Sequence, residues 1–315
     1  MESIWITDVS PRDGLQNQPK LLSTGDKLAL IGLLVAAGLR RVEVTSFVSP
    51  KAVPQMADAA DLLSAVIGQY PQLQPTVLVP NLKGLERACL AGAGEISVVL
   101  AATETMNRKN INQGLADATR NCQDTVRAAK AMGMRTRAYL AVAFDCPFEG
   151  ATPVPTLMAL AQQMLVAQVD EIVIADTIGS ATPGRVRDCL RLLGMAIPMN
   201  QLAMHFHDTR GLATANAWAA LEAGVRRFDA STGGLGGCPF APGAAGNLAT
   251  EDLVLMAQGS GFQTNIDIGR LLDVIEFAQL KMDRPLGGRS YSWLALQKQK
   301  GDLGPRGLSE GQSDA

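Results

Sequence analysis

His205 and His207 are the only histidines in the 315-residue chain, and they stand two positions apart in the run AMHFHDTRGLATANA, Ala203 to Ala217. Strand side chains alternate between faces, so in an extended segment both imidazoles point one way and Phe206 points the other. The two would lie about 6–7 Å apart along the strand. A same-face pair followed by Asp208 favours a shared metal ion over two satisfied polar groups at a strand end. With no third histidine, further donors must come from oxygen or sulfur. Carboxylate and amide oxygens favour Mg or Mn, whereas thiolate favours Zn.

The first candidate oxygen is Asp13, in VSPRDGLQNQ beside Arg12. An Asp-Gly pair is also a strong turn signal, so a turn role stays open for it. The second source is STGGLGGCPFAPGAAGNLATEDL, Ser231 to Leu253, a glycine-dense stretch ahead of a helix. Asn247 there can cap that helix or offer an amide oxygen to a metal. Cys238 stands in a loop and belongs to no CxxC pair; a nearby cation would lower its thiol pKa and let it move protons. The glycines could alternatively cradle a phosphate.

Glu43, in VEVTSF, is an inward carboxylate that needs a partner, and Arg12 is the obvious one. Asp176 and Thr177 end another apolar run in ADTIG, either at the same mouth or as a plain strand-to-loop turn. The basic RKNIN, Arg108 to Asn112, suits a phosphate-bearing group or a solvated surface equally.

These residues fall at the ends of short apolar runs with a common grammar. A helical run, a glycine break and a strand recur in LLVAAGLRRVEV, ACLAGAGEISVVL, AAKAMGMRTRAYLAV and ALEAGVRRFDAS, and without the glycine in MLVAQVDEIVIA. Glycine accepts the left-handed conformation that ends a helix. The pattern predicts strands over 5–9, 41–46, 76–79, 95–101, 136–143, 171–175, 202–207 and 227–231. Helices such as 24–37, 82–91 and 212–223 separate them. Eight βα units point to a (βα)8 TIM barrel, with an open doubly wound sheet as the alternative. No Gly-x-Gly-x-x-Gly follows the first strand. A further helix is expected over 267–282, so the barrel and its C-terminal helical region would fill 1–284. The extension 285–315 would be partly disordered, from Gly301 onward.

A net charge of −2 without long runs of one sign argues against a nucleic-acid partner. No apolar stretch is long enough to predict a membrane span. Five scattered cysteines (Cys89, Cys122, Cys146, Cys189, Cys238) fit free thiols in a reducing compartment.

In VSPRDGLQNQ, VEVTSFVSPKAVPQMAD, VPNLKG, KNIN, CPFEG, ADTIG, HFHDTRGLATANA and GGLGGCPFAPGAAGNLATEDLV the chain resembles the hydroxymethylglutaryl-CoA lyase family, across about residues 9–254. The resemblance implies a (βα)8 barrel with an extra C-terminal region. It implies cleavage of 3-hydroxy-3-methylglutaryl-CoA to acetyl-CoA and acetoacetate with Mg or Mn, CoA being part of the substrate. It assigns Asp13, His205, His207 and Asn247 to the metal, and Arg12 to the substrate carbonyl with Glu43 beside it. Cys238 falls to proton transfer and Asp176 to a further active-site position. The family expectation also includes leucine breakdown and a homodimer. A first strand within about five residues of Met1 suggests a bacterial-type cytoplasmic form.

Two departures bear on the acyl group. Phe148 stands in CPFEG where many relatives carry tyrosine, and RPLGGRSYSWLALQKQKGDLG departs from the family pattern. Alternatives are a lyase for citramalyl-CoA or a longer branched homologue, a Claisen-type synthase, and a non-catalytic metal-binding barrel.

Overall fold

The structure, a computed structural model, describes residues 2–237, 246–304 and 307–308. Eight parallel strands close into a barrel: β1 (Trp5–Asp8), β2 (Arg41–Ser46), β3 (Gln74–Leu78), β4 (Glu95–Ala101), β5 (Arg135–Ala141), β6 (Glu171–Asp176), β7 (Leu202–Phe206) and β8 (Arg227–Ala230). Neighbours follow sequence order, and β1 closes the ring on β8 with Trp5 opposite Arg227 and Asp8 opposite Ala230. The open sheet is thereby excluded. The helices are α1 (Thr24–Ala36), α2 (Ala59–Gln69), α3 (Leu82–Leu90), α4 (Glu104–Ile111), α5 (Leu115–Ala131), α6 (Val154–Val166), α7 (Pro183–Leu193), α8 (Ala213–Glu222), α9 (Thr250–Gly259), α10 (Ile268–Met282) and α11 (Tyr291–Lys300).

Local chemistry accounts for several boundaries. Ser23 caps α1 by accepting the Asp26 N–H at 3.1 Å, and Asn81 caps α3 by accepting from Gly84 at 3.0 Å. Asp267, expected as the first residue of the extra helix, is instead its cap, accepting from the Arg270 N–H at 3.1 Å. The glycine of the αβ joint before β2, Gly38, has φ +104, and a Cβ there would lie 2.3 Å from the Asn265 carbonyl oxygen. In the one joint lacking glycine, Gln168 takes the left-handed conformation itself, at φ +68. β5 stops at Ala141, short of the expected Ala143. Val142 turns to φ +51 and donates its N–H to Thr177 Oγ1 at 2.8 Å.

Alternation divides each strand between two environments. Outward residues such as Val42, Ile96, Leu140, Ile174, Met204 and Phe228 are buried against the helices in one continuous apolar layer. Each such side chain contributes roughly 1.5–3 kcal/mol when fully buried. The inward face is largely polar. Its apolar part is a small cluster of Tyr139, Val173, Ala175 and Ala203. At the N-terminal strand ends, Arg41 pairs with Glu95 at 2.8 Å and Arg137 with Glu171 at 2.6 Å.

Beyond the barrel, α10 packs on α1, and α11 lies against α10. The part of the extension ahead of Gly301, where disorder is expected to begin, therefore holds a helix. Leu303–Gly304 also pairs antiparallel with Gly307–Leu308. Residues 305–306 and 309–315 lie outside the described residues.

Candidate active site

After β1 the chain makes a wide π-helical turn, Ser10–Gly14, in which the Gly14 N–H reaches the Val9 carbonyl at 3.1 Å. Such turns are rare and recur at functional sites. This one carries Arg12 and Asp13 over the C-terminal mouth of the barrel. Arg12 Nε donates to Glu43 Oε2 at 2.6 Å, and its Nη1 donates to Asp13 Oδ1 at 2.7 Å. The other oxygen of Glu43 accepts from Ser97 Oγ at 2.5 Å. The inward carboxylate and its expected arginine partner thus form a clamped pair, and Asp13 belongs to the site rather than to a surface turn.

Both histidines project into the mouth as alternation requires, with Phe206 in the outer apolar layer. Their Nε2 atoms lie 3.3 Å apart. Asp13, His205 and His207 present ligand atoms that all fall within 4.8 Å of one another. Asn247 joins them through the backbone. It bridges antiparallel to His207, and the Leu248 N–H donates to the Phe206 carbonyl at 2.8 Å. It does not cap α9, which begins at Thr250 after Ala249. Its amide Nδ2 donates to Asp13 Oδ2 and to the Leu235 carbonyl, each at 2.9 Å. Its Oδ1 is buried with no partner. This approach depends on Gly236, at φ +129, where a Cβ would lie 2.5 Å from Asn247 Nδ2.

The residues fit a divalent cation. Two imidazole nitrogens that face each other repel through their lone pairs unless a proton or a cation sits between them. An orphaned buried carbonyl oxygen points to a missing partner. One carboxylate, two imidazoles and one amide form a mixed donor set of two oxygens and two nitrogens. It contains no thiolate among the described residues.

Electrostatics reinforce this arrangement. Burial pushes the Asp13 carboxyl up, but Arg12 and the two imidazoles outweigh it and hold the group below its usual range. Burial also works against the Arg12 charge, and Glu43 and Asp13 overcome it, so the guanidinium stays protonated. Burial, with His205 alongside, pulls His207 down to about 4, which leaves a neutral ring ready to ligate. His205 is raised despite burial because Asp229 faces its other nitrogen.

The site floors a cavity of about 360 Å³. Arg12, Asp13, Tyr139, His205 and His207 form the polar floor, while Val48, Val53, Leu78, Met106 and Ile111 form apolar walls. Asn110 and Ile111 of RKNIN reach the lining, but Arg108 pairs with Glu104 at 2.6 Å on the surface. Lys109 lies over the Phe148 ring, 5.2 Å from its centroid.

Asp176 is not brought to this cavity. Counting alternately from inward Val173 and Ala175 puts it on the outer face. There its oxygens accept the Ser180 and Ala181 N–H groups at 2.8 and 3.0 Å. Burial raises its pKa, and those N–H donors offset part of the rise. The neighbouring Thr177 lines the cavity instead. Asp208 likewise turns away, accepting from the Ala213 N–H at 3.0 Å and pairing with Arg289 at 2.9 Å. Cys238 lies outside the described residues. The preceding Gly237 lines the cavity and accepts from Asn17 Nδ2 at 3.3 Å.

Sequence reasoning missed Tyr139, Arg137 and Asp229, which lie under the histidines. A signal was present: RTRAYLA and RFDA place polar residues at alternate strand positions, as VEV and HFH do.

The family described as HMGL-like matches residues 3–278. The chain is 41% identical over 289 residues to the hydroxymethylglutaryl-CoA lyase YngG of Bacillus subtilis, covering 92% of this chain and 96% of that protein. It is 43% identical to the mitochondrial hydroxymethylglutaryl-CoA lyase of Rattus norvegicus, covering 89% of this chain and 86% of that one. Among solved structures, the HMG-CoA lyase of Bacillus subtilis superposes with a TM-score of 0.90 at 40% identity, covering 94% and 99% of the two chains. An HMG-CoA lyase of Acinetobacter baumannii, solved with coenzyme A and 3-methylmalate, superposes with a TM-score of 0.87 at 37% identity, covering 92% and 94%.

Proposed function

The chain belongs to the HMGL-like family, and on that premise we propose that it is a divalent-metal-dependent hydroxymethylglutaryl-CoA lyase. It cleaves 3-hydroxy-3-methylglutaryl-CoA to acetyl-CoA and acetoacetate. One observation carries the metal dependence: the facing Nε2 atoms of His205 and His207, beside Asp13 and the orphaned Oδ1 of Asn247. Those four residues would hold Mg or Mn. The cation would supply positive charge that lowers the pKa of the substrate hydroxyl.

Carbon–carbon cleavage leaves an enolate on the thioester side, and a fixed cationic donor there lowers the barrier. Arg12 fills that role. Its guanidinium keeps its proton and is aimed by Glu43 and Asp13. Both oxygens of Glu43 are taken by Arg12 and Ser97, so Glu43 orients and does not exchange protons. Cys238, next in sequence to cavity-lining Gly237, is assigned the proton transfer: its thiol protonates the enolate and the resulting thiolate recovers the proton given up by the substrate hydroxyl, so no net proton is gained or lost. Asp176, committed to its own loop, is left out of the chemistry. The apolar walls keep bulk water from the enolate and suit the methyl-bearing acyl end.

Among the described residues no helix is long and apolar enough to cross a membrane. The same reading makes the enzyme a cytoplasmic homodimer serving leucine breakdown. The test is a panel of 3-hydroxy-3-substituted acyl-CoAs, with acetyl-CoA release followed with magnesium present and after chelation. Release from the hydroxymethylglutaryl ester that stops on chelation is expected. Metal-independent release, or release only from another ester, overturns the assignment.

A further inference from the structure

The two imidazoles are not equivalent. His207 Nδ1 is buried without a partner, whereas His205 Nδ1 faces Asp229 Oδ2 at 3.3 Å. Asp229 stands in register with His205 on the neighbouring strand and is 1% exposed. Its Oδ1 accepts from Arg137 Nη2 at 2.7 Å, and its Oδ2 accepts from the Tyr139 hydroxyl at 2.7 Å. Arg137 is clamped from its other side by Glu171, Nε to Oε1, at 2.6 Å. The arginine cannot swing away, and the carboxylate cannot leave it.

A carboxylate in this seat can only accept hydrogen bonds. The imidazole facing it must therefore carry its proton on Nδ1, which leaves the Nε2 lone pair directed toward His207 and Asp13. We propose that Asp229 is a positioning residue. Held by Arg137 and Tyr139, it selects the Nδ1–H tautomer of His205 and so makes Nε2 a metal ligand. This inference rests on the metal reading above. A carboxylate behind a ligating imidazole also raises that ligand's basicity and fixes its ring. His207 has no such support, so His205 is the firmer of the two ligands.

The geometry dictates what Asp229→Asn does. Arg137 only donates, so it takes the amide oxygen. The amide nitrogen then occupies the other position, facing Tyr139 and His205 Nδ1. Nδ1 becomes an acceptor, the imidazole proton moves to Nε2, and the ligand atom is blocked.

The chain's two histidines make the test direct, because uniform 15N-histidine labelling gives only two imidazole spin systems. Long-range 1H–15N spectra of metal-free protein, taken above both imidazole transitions, report each tautomer. The expected result is Nδ1–H for His205 in the wild type and Nε2–H in Asp229→Asn. Manganese affinity, read by calorimetry, should fall about 10–100-fold in the variant. A wild-type His205 that is Nε2–H or an even mixture overturns the inference. So does a variant that keeps both tautomer and affinity. If the variant does not fold, the wild-type spectrum decides alone. Failure of the underlying reading shows differently, as a wild-type protein that binds no manganese whatever its tautomer.

Discussion

At the scale of single residues, Arg12 and Asp13 are neighbours in sequence with separable jobs. Arg12 touches no proposed metal ligand except Asp13, and its remaining hydrogen bond fixes it on Glu43. Arg12→Gln should lower kcat by about 10²–10³, the usual loss for one donor at a developing oxyanion. KM should change only a few fold, and steady-state kinetics separate the two. If KM rises and kcat holds, Arg12 binds substrate rather than the enolate. The same change leaves Glu43 buried beside a neutral group. Stability should then fall by about 3–5 kcal/mol, as denaturant titration would show. Asp13→Ala instead removes one proposed ligand and one of the two acceptors of Asn247 Nδ2. It should weaken manganese binding, and excess manganese should not restore full activity. Unchanged affinity would remove Asp13 from the ligand set.

The secondary elements were the most legible level, because strand and helix periods are local. All eight strands and their order can be read from alternation and from the αβ joints, with ends displaced by one or two residues. The displacements have causes the sequence does not advertise, such as the positive φ of Val142. Gly38 is the opposite case, a joint whose requirement is visible beforehand. Gly38→Ala would meet the Asn265 carbonyl at 2.3 Å in a left-handed backbone. The loss should be at least ~1–2 kcal/mol, measured by chemical denaturation. An unchanged midpoint would mean that the α1–β2 joint and the segment before α10 are not in contact. The convergence of Asp13, His205 and His207, and the pairing of Arg12 with Glu43, were legible from residue type and position. For Asp176 the strand-to-loop turn is the reading that the alternation of β6 favours, since counting by twos from Val173 puts it on the outer face. Tyr139, Arg137 and Asp229 were missed because their contact joins strands about ninety residues apart. Only the register of the closed barrel sets which of those alternating polar residues meet.

For the molecule as a whole, closure of the barrel and assembly of the site are one event. Asn247 reaches Asp13 across 234 positions of sequence, and the last loop is tied back as well. Glu251 accepts the N–H groups of Gly233 at 3.0 Å and Gly288 at 2.6 Å, joining the turn after β8 to the segment before α11. Burial pushes its carboxyl up to about 7 from an ordinary 4.5. The folded state therefore favours the protonated form. Its stabilising contribution is full below the unfolded pKa and declines as pH rises toward the folded one. Relative to Glu251→Gln, the wild type should lose roughly 3 kcal/mol between about pH 4.5 and 7. A stability difference that stays flat across that window would place the charge of Glu251 in a solvated setting. The proposed metal centre is tested most directly by anomalous diffraction from crystals soaked in manganese chloride. The predicted result is one strong peak within coordination distance of Asp13, His205 Nε2, His207 Nε2 and Asn247 Oδ1. Ordered side chains with no peak among them at saturating manganese, and the two rings turned apart, would contradict it.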